Sequence, residues 1–340
     1  MMNSNQYPSA FADLTKSAAK DKDALYALAL CYYHGIGVDK NHVAAFKHFE
    51  SIVKDEFYLQ AFCDIANCYS HGIGTNPDSF LAFEYYKKAA DKGYGEAHKN
   101  LARHYYYGPG MLNPDYGAAL KHANLALEQG IIEANYILGV FYFHGRGVDQ
   151  DYNLAIEYLK KAENSRSAKY HLGLCYKEGA AGCAKNSELA IQYFKEAADL
   201  GHKKSQFLLG THYRDPNTGD QNIELAIKYF QEAADSGHPE AQHIIGQCFY
   251  NGNLLPLDKG KAIKYFELAA GQNYEPARES LRECYLNGSA VNEKMRIIEE
   301  TLKNSEKPNY STNQNRIFKN PPNPKLQTLF EKSIDHKNKP

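Results

Sequence analysis

The chain has 340 residues, of which 43% are apolar, enough for a substantial core. Lysine plus arginine (39) and aspartate plus glutamate (40) nearly cancel, which removes the electrostatic reason to expect nucleic acid or an anionic membrane as partner. Nowhere do about 18 apolar residues follow one another, and the amino-terminal stretch MMNSNQYPSAFADLTKSAAK lacks the apolar centre of a signal peptide, so a cytoplasmic protein without a membrane span is expected.

Taken from the start, residues 8–20 have the composition of one amphipathic helix, and 1–23 are expected to cap the body of the chain. From Ala24 the chain repeats itself. Alanines stand at Ala24, Ala61, Ala97, Ala134, Ala168, Ala241 and Ala277, with Ser205 in the remaining slot, separated by 37, 36, 37, 34, 37, 36 and 36 residues. A step this regular is the mark of one supersecondary unit used again and again. Four residues after each alanine is an aliphatic (Leu28, Ile65, Leu101 and so on), five after it a small residue in all but the last copy, and eight after it an aromatic. That spacing predicts a helix, here named A, whose small residue lets a neighbouring helix come close.

A glycine-containing turn comes next, HGIG at His34–Gly37 and again at His71–Gly74, HGRG at His144–Gly147. One copy of such a string could be an oxyanion loop. Its recurrence, without any unique nucleophile or base, makes it a turn, with a polar residue at the end of helix A to meet unpaired carbonyls. Beyond the turn most copies carry an alanine followed at three and four by aromatics and at seven and eight by small residues, as in Ala190, Tyr193, Phe194, Ala197 and Ala198. This is the pattern of an amphipathic helix B, usually closed by glycine. The fifth, sixth and seventh copies depart at this turn, the fifth with AAGCAKN, the sixth with RDPNTGD and the seventh with NGNLLPLDKG, which puts local loop geometry in question but not the architecture.

Such a hairpin cannot bury its own stripe, so the copies must stack. The expected fold is all-α, an α-solenoid of about eight helix-turn-helix repeats over 24–302, ending in a degenerate helix B at 293–302. Residues 303–340 hold eight basic and three acidic side chains and much Asn, Pro and Ser, and are expected to form a basic, mostly flexible tail, with one short amphipathic run at Leu326, Leu329, Phe330 and Ile334.

The arrangement A-x3-L-G-x2-Y-x2-G-x-G, then A-x2-Y-Y-x2-A-A and a closing glycine, clearest in ANYILGVFYFHGRG (134–147), resembles the Sel1-like repeat, a relative of the tetratricopeptide repeat. The resemblance implies a right-handed superhelical array, a scaffold or adaptor role in protein–protein interaction, and helices A lining the concave surface. Cysteine-rich members have a disulfide in each repeat and a link to β-lactam binding or hydrolysis. Here those pairs are missing, and the S-x-x-K strings at 17–20 and 51–54 have no S-D-N or K-T-G beside them.

Seven cysteines, five of them in one row seven residues after the repeat alanine (Cys31, Cys68, Cys175, Cys248, Cys284), are read as buried free thiols. No metal site, cofactor or catalytic residue is expected. The remaining candidates lie two, six and nine residues after the repeat alanine, where side chains point away from the helix A core face: Tyr26, Tyr33, Tyr106, Tyr136, Val140, Phe143, Tyr170, Leu174 and Phe207. They either form an aromatic groove for a protein or peptide partner or pack one repeat on the next. The expected function is a non-enzymatic adaptor, with a bacterial effector or regulator, exported without a cleaved signal and acting on host proteins through the same repeats, as the alternative and a β-lactam-binding, enzyme-like protein third.

Overall fold

The computed structural model describes residues 7–54, 58–108, 113–162, 164–179 and 184–286, and among these residues the chain forms sixteen α-helices and no strand. Helix α1 (Tyr7–Ser17) precedes the pairs α2 (Lys22–His34) with α3 (His42–Ile52), α4 (Leu59–His71) with α5 (Ser79–Asp91), α6 (Gly95–Tyr107) with α7 (Tyr116–Glu128) and α8 (Ala134–His144) with α9 (Tyr152–Lys161). Next come the pairs α10 (Arg166–Glu178) with α11 (Ser187–Asp199), α12 (Lys203–Arg214) with α13 (Ile223–Asp235) and α14 (Pro239–Asn251) with α15 (Lys259–Ala270), then α16 (Glu275–Leu286). Even-numbered helices are the expected helices A, and odd-numbered ones from α3 onward the expected helices B. The helix expected at 293–302 and the tail from 303 lie outside the described residues.

The chain divides into two compact units, one made of the residues up to His171 with Gly179–Ala184 and the other of Leu172–Glu178 and the residues from Lys185 onward. Both are built from the same hairpin. In the first, Leu159 of α9 lies directly on the backbone of α8 at Gly139, where a Cβ would come 2.6 Å from the Leu159 Cγ. In the second, Phe194, Phe230 and Phe266 sit in the same way on Gly173, Gly210 and Gly246, with would-be contacts of 2.5, 2.6 and 2.6 Å. The small residue of helix A is therefore the seat for the bulky residue four places after the alanine of helix B. These bulky side chains are among the most completely buried in the protein.

A second ring contact recurs beside the first. The aromatic eight residues after the helix A alanine stacks on the side chain three residues after the helix B alanine, as in Tyr69–Tyr85, Tyr142–Tyr158, Tyr176–Tyr193 and Tyr213–Tyr229, with interplanar angles of 12°, 1°, 2° and 6°. In two copies histidine takes the place of the helix B ring, His48 on Tyr32 and His122 on Tyr105.

The turn itself has a fixed construction. The first glycine takes a left-handed φ, +75° at Gly35 and +63° at Gly145, and closes helix A by donating its N–H to the carbonyl four residues back. The second is approached from outside its own repeat. A Cβ on Gly74 would lie 2.1 Å from the His42 carbonyl oxygen, and one on Gly147 would lie 2.9 Å from the Tyr116 Cβ. Immediately before helix B stands an Asp or Asn whose side chain caps that helix and whose own N–H donates to the carbonyl of the helix A aromatic. Asn41 to Tyr32 (2.9 Å), Asp151 to Tyr142 (3.0 Å) and Asn222 to Tyr213 (2.8 Å) are three of seven such clips. The unusual loops of the fifth, sixth and seventh copies keep it through Asn186, Asn222 and Asp258. The sixth copy closes helix A at Asp215 (φ −75°) instead of at a left-handed glycine and reaches its clip through a short 3-10 turn at Pro216–Thr218.

Candidate partner-binding surface

The helix A side chains that point away from helix B follow from the repeat register, and their burial sorts them. Of the nine positions singled out by sequence, Tyr106, Val140 and Phe143 are buried, at 4%, 7% and 5% exposure, while Tyr26, Tyr33, Tyr136, Tyr170, Leu174 and Phe207 are half-buried. Tyr26, Tyr33, Tyr136 and Tyr170 belong to the first unit, Leu174 and Phe207 to the second.

Several of these side chains link adjacent repeats. The Tyr26 hydroxyl donates to Asp64 Oδ2 at 2.6 Å, the ring of Tyr136 meets His171 edge-on at 5.6 Å, and in the second unit His243 bonds Ser280 at 2.9 Å. Each contact joins the second residue after one repeat alanine to the third residue after the next. Burial, together with the Asp64 carboxylate, raises the Tyr26 phenol above its ordinary range, and burial also raises Asp64. Phe207 stacks on His238 at 4.4 Å, and Phe143 on Tyr152 at 5.2 Å.

The positions left facing outward are the sixth and tenth after the alanine. In the first unit these are Leu30 and His34, Asn67 and His71, Arg103 and Tyr107, and Val140 and His144. All are exposed or half-buried except Val140. Helical spacing singles out the sixth position, whereas by sequence the tenth reads only as a helix end. Tyr107, 51% exposed, shows that the tenth is also surface. The helix-end role is visible at His71, whose Nδ1 lies 2.9 Å from the Asn67 carbonyl oxygen.

In the first glycine turn the amides of Gly35 and Ile36 are committed to helix closure, both donating to the Cys31 carbonyl, at 2.8 and 3.0 Å, and are not free to hold an oxyanion. The six described cysteines are free, and all but Cys284 are buried. Burial raises the thiols of Cys31, Cys63, Cys68, Cys248 and Cys284, Cys68 to about 12, away from the thiolate state that nucleophilic or metal chemistry needs. Cys183 lies outside the described residues. Among the described residues no three His, Cys, Asp or Glu side chains converge as metal ligands, and no helix is long and apolar enough to cross a membrane. A depression of about 500 Å³ near α3 and α5 places Lys54, Lys88 and Lys92 against Glu50 and Asp91, a nearly balanced set of charges without convergent chemistry.

Stacked helical hairpins with a copy-varying outer face define the class, an all-α repeat protein. The sequence profile of the Sel1 repeat matches residues 22–52, 63–94, 95–131, 132–165, 166–202, 203–238 and 239–274, and the chain belongs to the Sel1 repeat family. Helix α16 adds an eighth helix A beyond the seven matched units. The chain is similar to the crystal structure of c5321, a protective antigen present in uropathogenic Escherichia coli strains displaying an SLR fold (26% identity, TM-score 0.55, covering 91% of this chain). It spans 65% of that antigen's chain. It is also similar in fold to a Sel1 repeat protein from Oxalobacter formigenes (23% identity, TM-score 0.59), covering 83% of this chain and 82% of that one. No curated protein matches the sequence.

Proposed function

We propose that the protein is a non-catalytic scaffold that holds a partner protein or peptide against the outer face of its helices A. The observation that carries this reading is the division of labour within the repeat. Positions that stay constant from copy to copy (the small seat, the stacked aromatics, the glycines, the Asx clip) are consumed by packing and turn closure. The sixth position changes chemistry from copy to copy (Leu30, Asn67, Arg103, Val140) and, with the tenth, is exposed or half-buried in the first unit except at Val140. A surface that varies along a constant frame is what selective recognition of a partner requires, and its aromatic members supply the anchors that dominate interface energies.

The first unit supports the reading best, through exposed Tyr107 and half-buried Tyr26, Tyr33, Tyr136 and Tyr170. In the second unit Leu174 and Phe207 extend the proposal to α10 and α12. The location proposed is the cytoplasm.

The test is affinity capture with mass spectrometry, comparing wild type with the Tyr107→Ala/Tyr170→Ala double variant. Capture of a partner retained by the wild type should fall by about tenfold or more in the variant, at unchanged helical circular dichroism. Equal capture by both proteins would remove these helices from the interface. Turnover of a chromogenic lactam or ester by the purified protein would refute the non-catalytic part.

A further inference from the structure

Helices α4, α6 and α8 carry few charges, and nearly all of them are engaged. Asp64, the sole acid of α4, accepts from Tyr26. Glu96, the sole acid of α6, is paired with Lys99. Helix α8 has no Asp, Glu, Lys or Arg. That leaves Arg103, exposed at the sixth position of its repeat, which makes neither a hydrogen bond nor an ion pair among the described residues. A guanidinium is weakly hydrated and presents a planar fork of donors matched to a carboxylate.

Its surroundings are aromatic and short of acceptors. Arg103 shares a small crevice of about 30 Å³ between α6 and α8 with Tyr106, Tyr107, Tyr136, Ile137 and Val140. Tyr106 is 4% exposed, with its hydroxyl buried. A second guanidinium, Arg146, lies 5.0 Å from the centre of the same ring. Arg146 faces the Tyr106 ring and Arg103 lies in the crevice that Tyr106 helps to line, and neither guanidinium is paired with a carboxylate among the described residues. Tyr107, beside them, turns half its surface to solvent.

We infer that this crevice is the docking point for an acidic peptide segment of the partner: an Asp or Glu carboxylate taken by Arg103, with an adjoining apolar side chain laid against Tyr107. The inference rests on the outer face of helices A being the binding surface, and adds the chemistry that the face selects. The chain's overall charge of −1 gives no such preference; it is local, made by the Arg103 guanidinium, without a carboxylate partner, at the edge of an aromatic crevice.

The experiment is selection of a displayed random dodecapeptide library on the immobilised full-length protein and on its Arg103→Glu variant. One selected peptide is then synthesised with its acid and with the Gln or Asn isostere, and both are measured by fluorescence anisotropy. Wild type should enrich peptides with an acid next to an apolar residue. Affinity should fall by about tenfold on changing the peptide's acid to amide, and at least as far with Arg103→Glu or Arg103→Gln. Higher salt should weaken the wild-type complex. A pool enriched without acidic excess, or an acidic peptide bound equally by the Arg103 variants, overturns this inference and leaves the binding surface standing. Failure to enrich any peptide on wild type overturns both. Arg103 is exposed, so circular dichroism of the variants should match wild type.

Discussion

At the residue scale, the glycine in the middle of helix A is a position where shape decides the amino acid. Glycine costs about 1 kcal/mol relative to alanine in a helix interior, so alanine at Gly210 would be favoured by propensity alone. The Phe230 ring occupies the space its methyl group would need, 2.6 Å from the Cδ1 atom. Overpacking of this kind costs about 1–3 kcal/mol. Gly210→Ala is accordingly expected to lower the thermal midpoint, and a midpoint at or above wild type would show that the ring yields. Histidines give a second prediction. Burial lowers the imidazoles of His104, His122 and His238 to about 4, and those of His48, His98 and His243 in the same direction. His98 and His122 also face each other Nδ1 to Nδ1 at 2.8 Å, a contact that two protonated rings cannot keep. Their unfolded value is near 6.5, so the unfolded chain binds more protons than the folded one between about pH 6.5 and 4. Stability should be fully present above pH 6.5 and decline as the pH falls through that window. His122→Asn should flatten part of the decline in a series of thermal melts against pH.

At the scale of the element, the Asx clip is the feature that the periodic sequence contained and hydrophobic patterning passed over. Asn41, Asp78, Asp115, Asp151, Asn186, Asn222 and Asp258 each stand four residues before the helix B alanine, a period as strict as that of the aromatics. Two polar residue types share the slot, so the apolar template does not register it. A cap of this type is worth about 1 kcal/mol. Replacing Asp151 or Asp258 with alanine should cost that much in urea unfolding, with asparagine at either position close to neutral. A loss confined to one of the two would mean that the clips are not equivalent. The helices themselves were legible because both hairpin arms carry apolar residues at three- and four-residue spacing over three turns. The second glycine of each turn was harder to interpret. Gly74 and Gly147 are fixed by backbone and side chain belonging to the preceding repeat, and a contact across repeats leaves no trace in local spacing.

For the molecule as a whole, the family and the repeat length were readable from the steps between alanines, whereas the outward face of helices A was readable only in part. The second, sixth and ninth positions all point off the core face of an isolated helix, but Tyr106 and Phe143 are covered once the next helix A is in place, Tyr106 by Phe141 and Phe143 by His171. The tenth position, assigned a capping role, proved to include the exposed Tyr107. Buried thiols obey the same logic: Cys31, Cys68, Cys175 and Cys248 stand one place before the stacked aromatic and face inward, and Cys63, outside that row, is buried as well. Cys31, Cys63, Cys68, Cys175 and Cys248 should resist alkylation at pH 8 in the native protein and react together on unfolding. Rapid native labelling of any of the five, mapped by mass spectrometry, would contradict their placement.

The clip before helix B has one more consequence. It ties the chain down after every turn, so a segment spliced in between the end of helix A and the clip leaves the stacking on either side anchored. The stretch from Asp215 to Gln221, already diverted through its own small turn, is then a ready-made port at which a foreign epitope or reporter sequence can be carried without retuning the repeats around it.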